Sequence, residues 1–208
     1  MMNRKELILE KSLSLFNEKG IENVSAKIIA ADLGISDGNL RYHYRTKEDI
    51  IYALYQSLLE EVKVDLVPLQ EEEINLKSII HSITMALSTL HRYKFLMIDI
   101  VGIMRKFPTI QENYNSLYEP RKAHFKILLE ECINKGILKN EDFPNQYDYF
   151  ILQFYTLTDF WISESEILYQ ENNGYGVSFH INLILSFIVP YLTEEGLGEF
   201  KSFTKGMK

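Results

Sequence analysis

Residues 36–45 read Ser-Asp-Gly-Asn-Leu-Arg-Tyr-His-Tyr-Arg, which places two arginines, two tyrosines and a glycine within ten positions. On an α-helix, at about 100° per residue, Leu40 and Tyr44 fall on one side with Ser36 at its edge. Gly38, Arg41, Tyr42 and Arg45 fall on the other. Such a face suits nucleic acid. Guanidinium groups pair with phosphate or with a guanine edge, and a tyrosine offers its hydroxyl to phosphate or its ring to a thymine methyl. Gly38 lets a helix approach closely, and hydroxyls at helix starts, here Ser25 and Ser36, can hold phosphates. A plain surface helix with two arginines satisfies the same pattern, so the elements that would position this face matter.

Three short helices and one long one are predicted around it. Leu7, Ile8, Lys11, Leu15 and Phe16 have helical spacing over residues 4–19, and Gly20 stops that helix. Ser25 caps a second helix to about residue 33, with Ile29, Ala30 and Leu33 as its inner stripe, and Gly34 breaks it. Ser36 caps a third over residues 37–44. Thr46 caps a fourth that opens with Lys47, Glu48 and Asp49 and extends to about residue 66; two acids suit the positive end of a helix dipole. Residues 26–44 thus have the length and the glycine turn of a helix-turn-helix.

Beyond it the pattern is one of longer helices. Pro68 and Glu71-Glu72-Glu73 read as a solvated loop. Helices are expected over residues 76–91, 93–106, 110–135 (kinked or restarted at Pro120), 147–169 and 178–189, with a turn at Asn172-Asn173-Gly174. Only 10 Gly and 5 Pro occur in 208 residues, and no strand pattern stands out, so the fold class is all-α. Residues 1–50 hold 8 of the 22 Lys/Arg and 8 of the 29 Asp/Glu, so the whole net charge of −7 lies in residues 51–208. The less acidic N-terminal end is therefore the one to face an anion.

Other chemistries find no support. His43, His81, His91, His124 and His180 form no metal-ligand spacing, and a single cysteine, Cys132, makes neither a disulfide nor a thiolate cluster. No phosphate-binding glycine loop or nucleophile elbow occurs, and Gly196-Leu197-Gly198 is too short to signify one. No catalytic residues, metal or cofactor are expected. With no signal core and no apolar run near the roughly 18 residues of a membrane span, a cytoplasmic protein without membrane contact is expected.

Residues 29–48, Ile-Ala-Ala-Asp-Leu-Gly-Ile-Ser-Asp-Gly-Asn-Leu-Arg-Tyr-His-Tyr-Arg-Thr-Lys-Glu, resemble the DNA-binding domain of the TetR/AcrR family of transcriptional regulators. The likeness extends back to Phe16 and covers about 55 residues. It implies a helix-turn-helix DNA-binding domain in residues 1–50 and a larger helical effector-binding and dimerisation domain in residues 51–208. It implies phosphate contacts at Ser25, Lys27, Tyr42, His43 and Lys47, and base reading by Asp37, Gly38, Asn39 and Arg41. Arg41 stands where the family usually has Tyr, Tyr44 where it has Phe, and Val24 where Thr is common. Asp37 puts an acid near DNA, where it repels phosphate but can accept from a cytosine amine. The operator sequence therefore does not transfer from relatives.

A single recognition helix binds weakly, whereas two across a two-fold axis read two half-sites about one helical turn apart, so a homodimer on a double-stranded operator is expected. The helix at 178–189, with Phe179, Ile181, Leu183, Ile184, Leu185 and Phe187, is apolar nearly all round, and so expected to be buried all round. It is the first interface candidate. The helix at 147–169, with Phe150, Phe154, Leu157 and Trp161, is the second. The resemblance adds a small-molecule effector pocket in the middle helices, for which Phe95, Met104, Tyr118, Phe154, Tyr155 and Trp161 are the candidates. It makes the chain a repressor released by a small, mostly apolar effector. The alternatives are a helical ligand-binding module without working DNA binding and a helical partner-binding protein.

Overall fold

Each of the first four helices begins on a side chain that accepts from one of its free N–H groups. In the computed structural model, which describes residues 3–66, 75–168 and 176–204, α1 (Arg4–Lys19) starts at Asn3, paired with Glu6 in a capping box. Ser25 accepts from Ile28 N to open α2 (Ala26–Asp32), and Ser36 accepts from Asn39 N to open α3 (Asp37–His43). Thr46 and Asp49 form a second capping box at the start of α4 (Lys47–Asp65). Gly20 and Gly34 close the first two helices with φ of 75° and 64°, a region where a side chain is strained. Ile8, Phe16, Ile29, Leu40, Ile50 and Ile51 are all at most 1% exposed and form the core that joins these four helices.

Among the described residues seven further α-helices follow: α5 (Leu76–Arg92), α6 (Lys94–Ile98), α7 (Ile100–Lys106), α8 (Pro108–Asn134), α9 (Gln146–Leu168), α10 (Val177–Ser186) and α11 (Glu194–Thr204). Among the described residues the fold is all-α, save for a lone bridge between Leu138 and Leu192. α4 packs along α5, and α9 packs against α6, α8 and α10. No helix of the described residues is long and apolar enough to cross a membrane. The loop at Pro68 and Glu71–Glu73 and the turn at Asn172–Gly174 lie outside the described residues.

Four sequence expectations change. The single helix over 93–106 is two, because Asp99 leaves helical geometry (φ −128°, ψ 49°) and caps α7 through Gly102 N at 3.0 Å. Ser163 Oγ donates to the Met97 and Ile98 carbonyls that this break frees, at 2.7 and 3.0 Å. α8 runs unbroken through Pro120; Ser116 and Pro120 are both exposed, so water can serve the carbonyl that the proline leaves unpaired. The apolar helix ends at Ser186, not 189, and a 3₁₀ turn with Pro190 follows it.

The fourth change is that α11 follows as an additional last helix. Thr193 Oγ1 accepts from Gly196 N at 3.1 Å, and Glu194 and Glu195 occupy the first turn. A side chain at Gly196 would stand 2.3 Å from the Ile137 carbonyl oxygen, so glycine is what lets α11 dock there.

The Asp99 cap yields a stability test. A Cβ at Gly102 would lie 2.2 Å from the Asp99 carboxylate, so Gly102→Ala must push that side chain off its cap. The expected loss is about 1 kcal/mol by urea denaturation. The change should cost less in an Asp99→Ala background, where no cap remains to lose. Equal losses in both backgrounds would contradict this account.

Candidate nucleic-acid interface

The third helix presents the face its sequence implies. Leu40 is fully buried and Tyr44 is 5% exposed, while Tyr42 is 84% exposed. Gly38, Asn39, Arg41 and Arg45 are exposed beside it. The turn into α3 is fixed by Ile35 N donating to Ala30 O at 3.0 Å and Gly34 N to Ala31 O at 3.1 Å. At Ser25 and Ser36 the hydroxyl oxygens serve as caps, which leaves their O–H groups free to donate to a phosphate. Lys27 is exposed on α2. Lys47 Nζ donates to Ile21 O at 2.9 Å, which ties the α1–α2 link to α4 and leaves two N–H groups on the ammonium. His43 is half-buried and meets the Tyr42 ring edge-on at 5.2 Å. Asp37 Oδ2 accepts from Arg41 Nε at 2.7 Å.

The first three helices are held to the rest of the chain at one corner. Asn17 of α1 donates through Nδ2 to Arg92 O at 2.8 Å and accepts at Oδ1 from Phe95 N at 3.0 Å, so it bridges the end of α5 and the start of α6. The Phe16 ring meets the Phe95 ring at a tilt of 40°, with centroids 5.3 Å apart. Glu22, just before α2, pairs with Lys106 of α7 at 2.8 Å. On the other side Glu61 of α4 takes bonds from Arg92 and the Tyr93 hydroxyl, and Thr89 donates to Asp65. A cleft of about 400 Å³, lined by Phe16, Ile21, Phe95, Ile103, Lys106 and Phe107 among others, lies between the two parts.

The six candidate pocket residues fall in several places. Tyr118, Phe154 and Tyr155 come together around Phe125, at 5.0 Å from Phe125 to Phe154 and 6.0 Å to Tyr155. The Arg121 guanidinium lies 4.8 Å over the Tyr155 ring, and the Tyr114 hydroxyl donates to Asp159. Burial holds the Asp159 carboxyl above its ordinary range and pushes the Tyr155 phenol up to about 12. Phe125 and Phe154 also line an apolar cavity of about 20 Å³, with Ile83, Phe150 and Ile188. Phe95 belongs instead to the corner with Phe16, and Met104 is half-buried on α7. Trp161, 2% exposed, lies between His91 at 5.9 Å and His180 at 5.1 Å.

Sequence reasoning passed over Asn17, Arg121 and Asp159. Asp159 carried a signal, as a lone acid in the run Leu157-Thr158-Asp159-Phe160-Trp161. Asn17 carried none, since its partners are backbone groups 75 and 78 residues away.

Comparisons with known proteins agree with this fold. A family model described as "Bacterial regulatory proteins, tetR family" matches residues 8–54, and one described as "Bacterial transcriptional repressor" matches residues 55–200. An HTH-type transcriptional regulator of Staphylococcus aureus (strain USA300) is 39% identical over 56 residues, 27% of this chain and 30% of that protein. Another, from the bovine strain RF122/ET3-1, is 29% identical over 111 residues, 45% of this chain and 60% of that protein. The chain therefore spans less than two thirds of the length of these relatives. A TetR-family transcriptional regulator from Marinobacter aquaeolei VT8 shares the fold over 100% of both chains, with a TM-score of 0.86 and 25% identity. A putative transcriptional regulator from Saccharomonospora viridis in complex with choline has a TM-score of 0.73 at 20% identity, over 91% of this chain and 97% of that one.

The imidazole beside Trp161 sets a pH dependence. Burial first, then the Lys94 charge, lowers the His91 pKa below 6.5. Below about pH 6.5 the unfolded chain takes up this proton before the folded one, so stability falls as pH drops and is restored as pH rises. The melting temperature should decline from pH 7 to 5 and decline less in His91→Gln; parallel profiles would remove His91 as the cause.

Proposed function

Since this chain belongs to the TetR family of bacterial transcriptional regulators, we propose that it is a repressor that grips its operator as a homodimer and leaves it when a small, mostly apolar effector binds. The chain is a helix-turn-helix DNA-binding regulator and not an enzyme. The observation that carries the DNA-bound half of the proposal is the outward face of α3, where Arg41 and Tyr42 stand clear of the surface over the buried Leu40 and Tyr44. Ser25, Lys27, Tyr42, His43 and Lys47 serve as phosphate contacts in this reading, and Asp37, Gly38, Asn39 and Arg41 lie at the bases.

Two apolar stripes support the dimer. On α9, Tyr149, Leu152, Phe160 and Ile167 recur at helical spacing on the side away from Phe150 and Trp161, and they are 41 to 78% exposed. The core-facing stripe named from sequence on this helix is thus not the one a partner would cover. On α10, Phe179 and Leu183 are 36 and 45% exposed, while Ile181, Ile184 and Leu185 are buried in the same chain. An exposed apolar face of this size suits a second copy rather than water.

The effector is placed between α8 and α9, where Tyr118, Phe154 and Tyr155 meet beside Arg121 and Asp159. The apolar cavity next to this cluster, which Phe125 and Phe154 line, is about 20 Å³ and holds no more than about one water, so in this reading binding requires Phe125 and Phe154 to move apart. That couples occupancy to a change of helix packing, as a population shift demands. Motion of α5 and α6 reaches α1 through Asn17, and the half-site spacing changes with it.

Two measurements test the proposal. Fluorescence anisotropy against DNA from upstream of the chain's own gene, at two salt concentrations, should show tight, salt-sensitive binding that scrambled DNA lacks. Tyr42→Ala should weaken binding to both DNAs by about tenfold through loss of a phosphate contact. Equal weak binding, followed by a random-sequence selection that enriches nothing, would reject DNA recognition. Separately, Phe160→Glu should turn a dimer into a monomer in sedimentation and sharply weaken operator binding; an unchanged dimer would place the interface elsewhere.

A further inference from the structure

The recognition helix carries an acid in its first turn, at the end that a helix-turn-helix points at base edges. A carboxylate there repels phosphate, so Asp37 is costly unless it serves a purpose. Its two oxygens show one. Oδ2 accepts from Arg41 Nε at 2.7 Å, one helical turn further on. Oδ1 is covered and has no hydrogen-bond partner among the described residues. One oxygen is thus engaged and the other shielded, which leaves the group poorly placed to accept from a cytosine amine.

The guanidinium is left in a defined state. Its Nε side is committed to Asp37, and its two terminal nitrogens have no hydrogen-bond partner among the described residues. A planar fork with the terminal pair free is what guanine O6 and N7 accept in the major groove. Arginine otherwise loses much of its rotamer freedom when it is ordered, and a carboxylate at i−4 meets part of that cost before DNA arrives. The pair is 56 and 36% exposed on its two side chains, so as a surface ion pair it contributes little to folding. Its consequence is directional.

We propose that Asp37 is a positioning residue that aims Arg41 at a guanine, so that each operator half-site carries a guanine where Arg41 enters the groove. This rests on the DNA-binding reading above. It goes further by assigning a base and by giving Asp37 the role of a support for Arg41 instead of a reader.

The test uses the full chain in a random-sequence selection, followed by anisotropy on the selected duplex and its single-base variants. The wild type should select a guanine at one position of each half-site. Arg41→Ala should lose the preference at that position alone, by roughly 5- to 150-fold, the range of one bidentate base contact. Arg41→Lys keeps the charge but not the fork, and should keep general affinity while losing the guanine preference. Asp37→Asn should move two readings in opposite directions: binding to scrambled DNA tightens as a repelling charge is removed, and guanine-over-adenine discrimination falls at the Arg41 position only. Selection of no guanine, or an Asp37→Asn protein that binds all sequences more tightly with discrimination intact, overturns the proposal. The first result would leave Arg41 on phosphate and the second would leave Asp37 a bare charge. Failure to enrich any sequence would instead sink the DNA-binding reading, and this one with it.

Discussion

A helix of seven residues has no stability of its own in water, because nucleation fixes several residues before any hydrogen bond is gained. α3 is such a helix, so the burial of Leu40 and Tyr44 decides both whether it forms and where its outer face points. Removing a buried leucine of this kind typically costs about 2–5 kcal/mol, more than any single contact on the exposed face supplies. The Ser36 cap and the Gly34 turn refine the entry angle, but they act on a helix that the core of α1, α2 and α4 already holds. Arg41 and Tyr42 are therefore as rigid as the packing beneath them.

That packing is joined to the C-terminal helices by two routes of different character. One is covalent and helical: α4 leaves the DNA-facing core at Ile50 and Ile51 and lies along α5 for much of its length. The other is lateral, through the Asn17 amide at the α5–α6 corner and the Glu22–Lys106 pair. A single route would allow the DNA-facing helices to swivel. Two routes, one along α4 and one beside the cleft that Asn17, Glu22 and Lys106 line, hold α1 to α3 to the rest of the chain at separate points.

The N-terminal third was legible in sequence because its signals are local. Ser25, Ser36 and Thr46 cap within three residues of themselves, and Gly20 and Gly34 mark their own backbone conformations. Further along, the deciding contacts span long distances in the chain. The break at Asp99 looks like one continuous helix until Ser163, 64 residues on, is seen to serve the freed carbonyls. α9 has apolar residues on two faces, and periodicity alone does not say which of Trp161 and Phe160 points inward. α11 was within reach, since Thr193-Glu194-Glu195 is a cap and a first turn, but Gly196 and Gly198 weaken the helical signal of the segment. Residue type alone does not separate the Phe95 corner from the cluster at Tyr118, Phe154 and Tyr155.

The stack at Trp161 also gives the molecule an optical property. It is the chain's one tryptophan, and it sits where α9, α5 and α10 meet, between two imidazoles and away from α3. Excitation at its red edge thus addresses one site among 13 tyrosines. Emission from that site reports how α5, α9 and α10 pack, without a dye and without sensing the outer face of α3 directly. The chain can therefore be watched from two ends at once, by labelled DNA at one and by its own indole at the other.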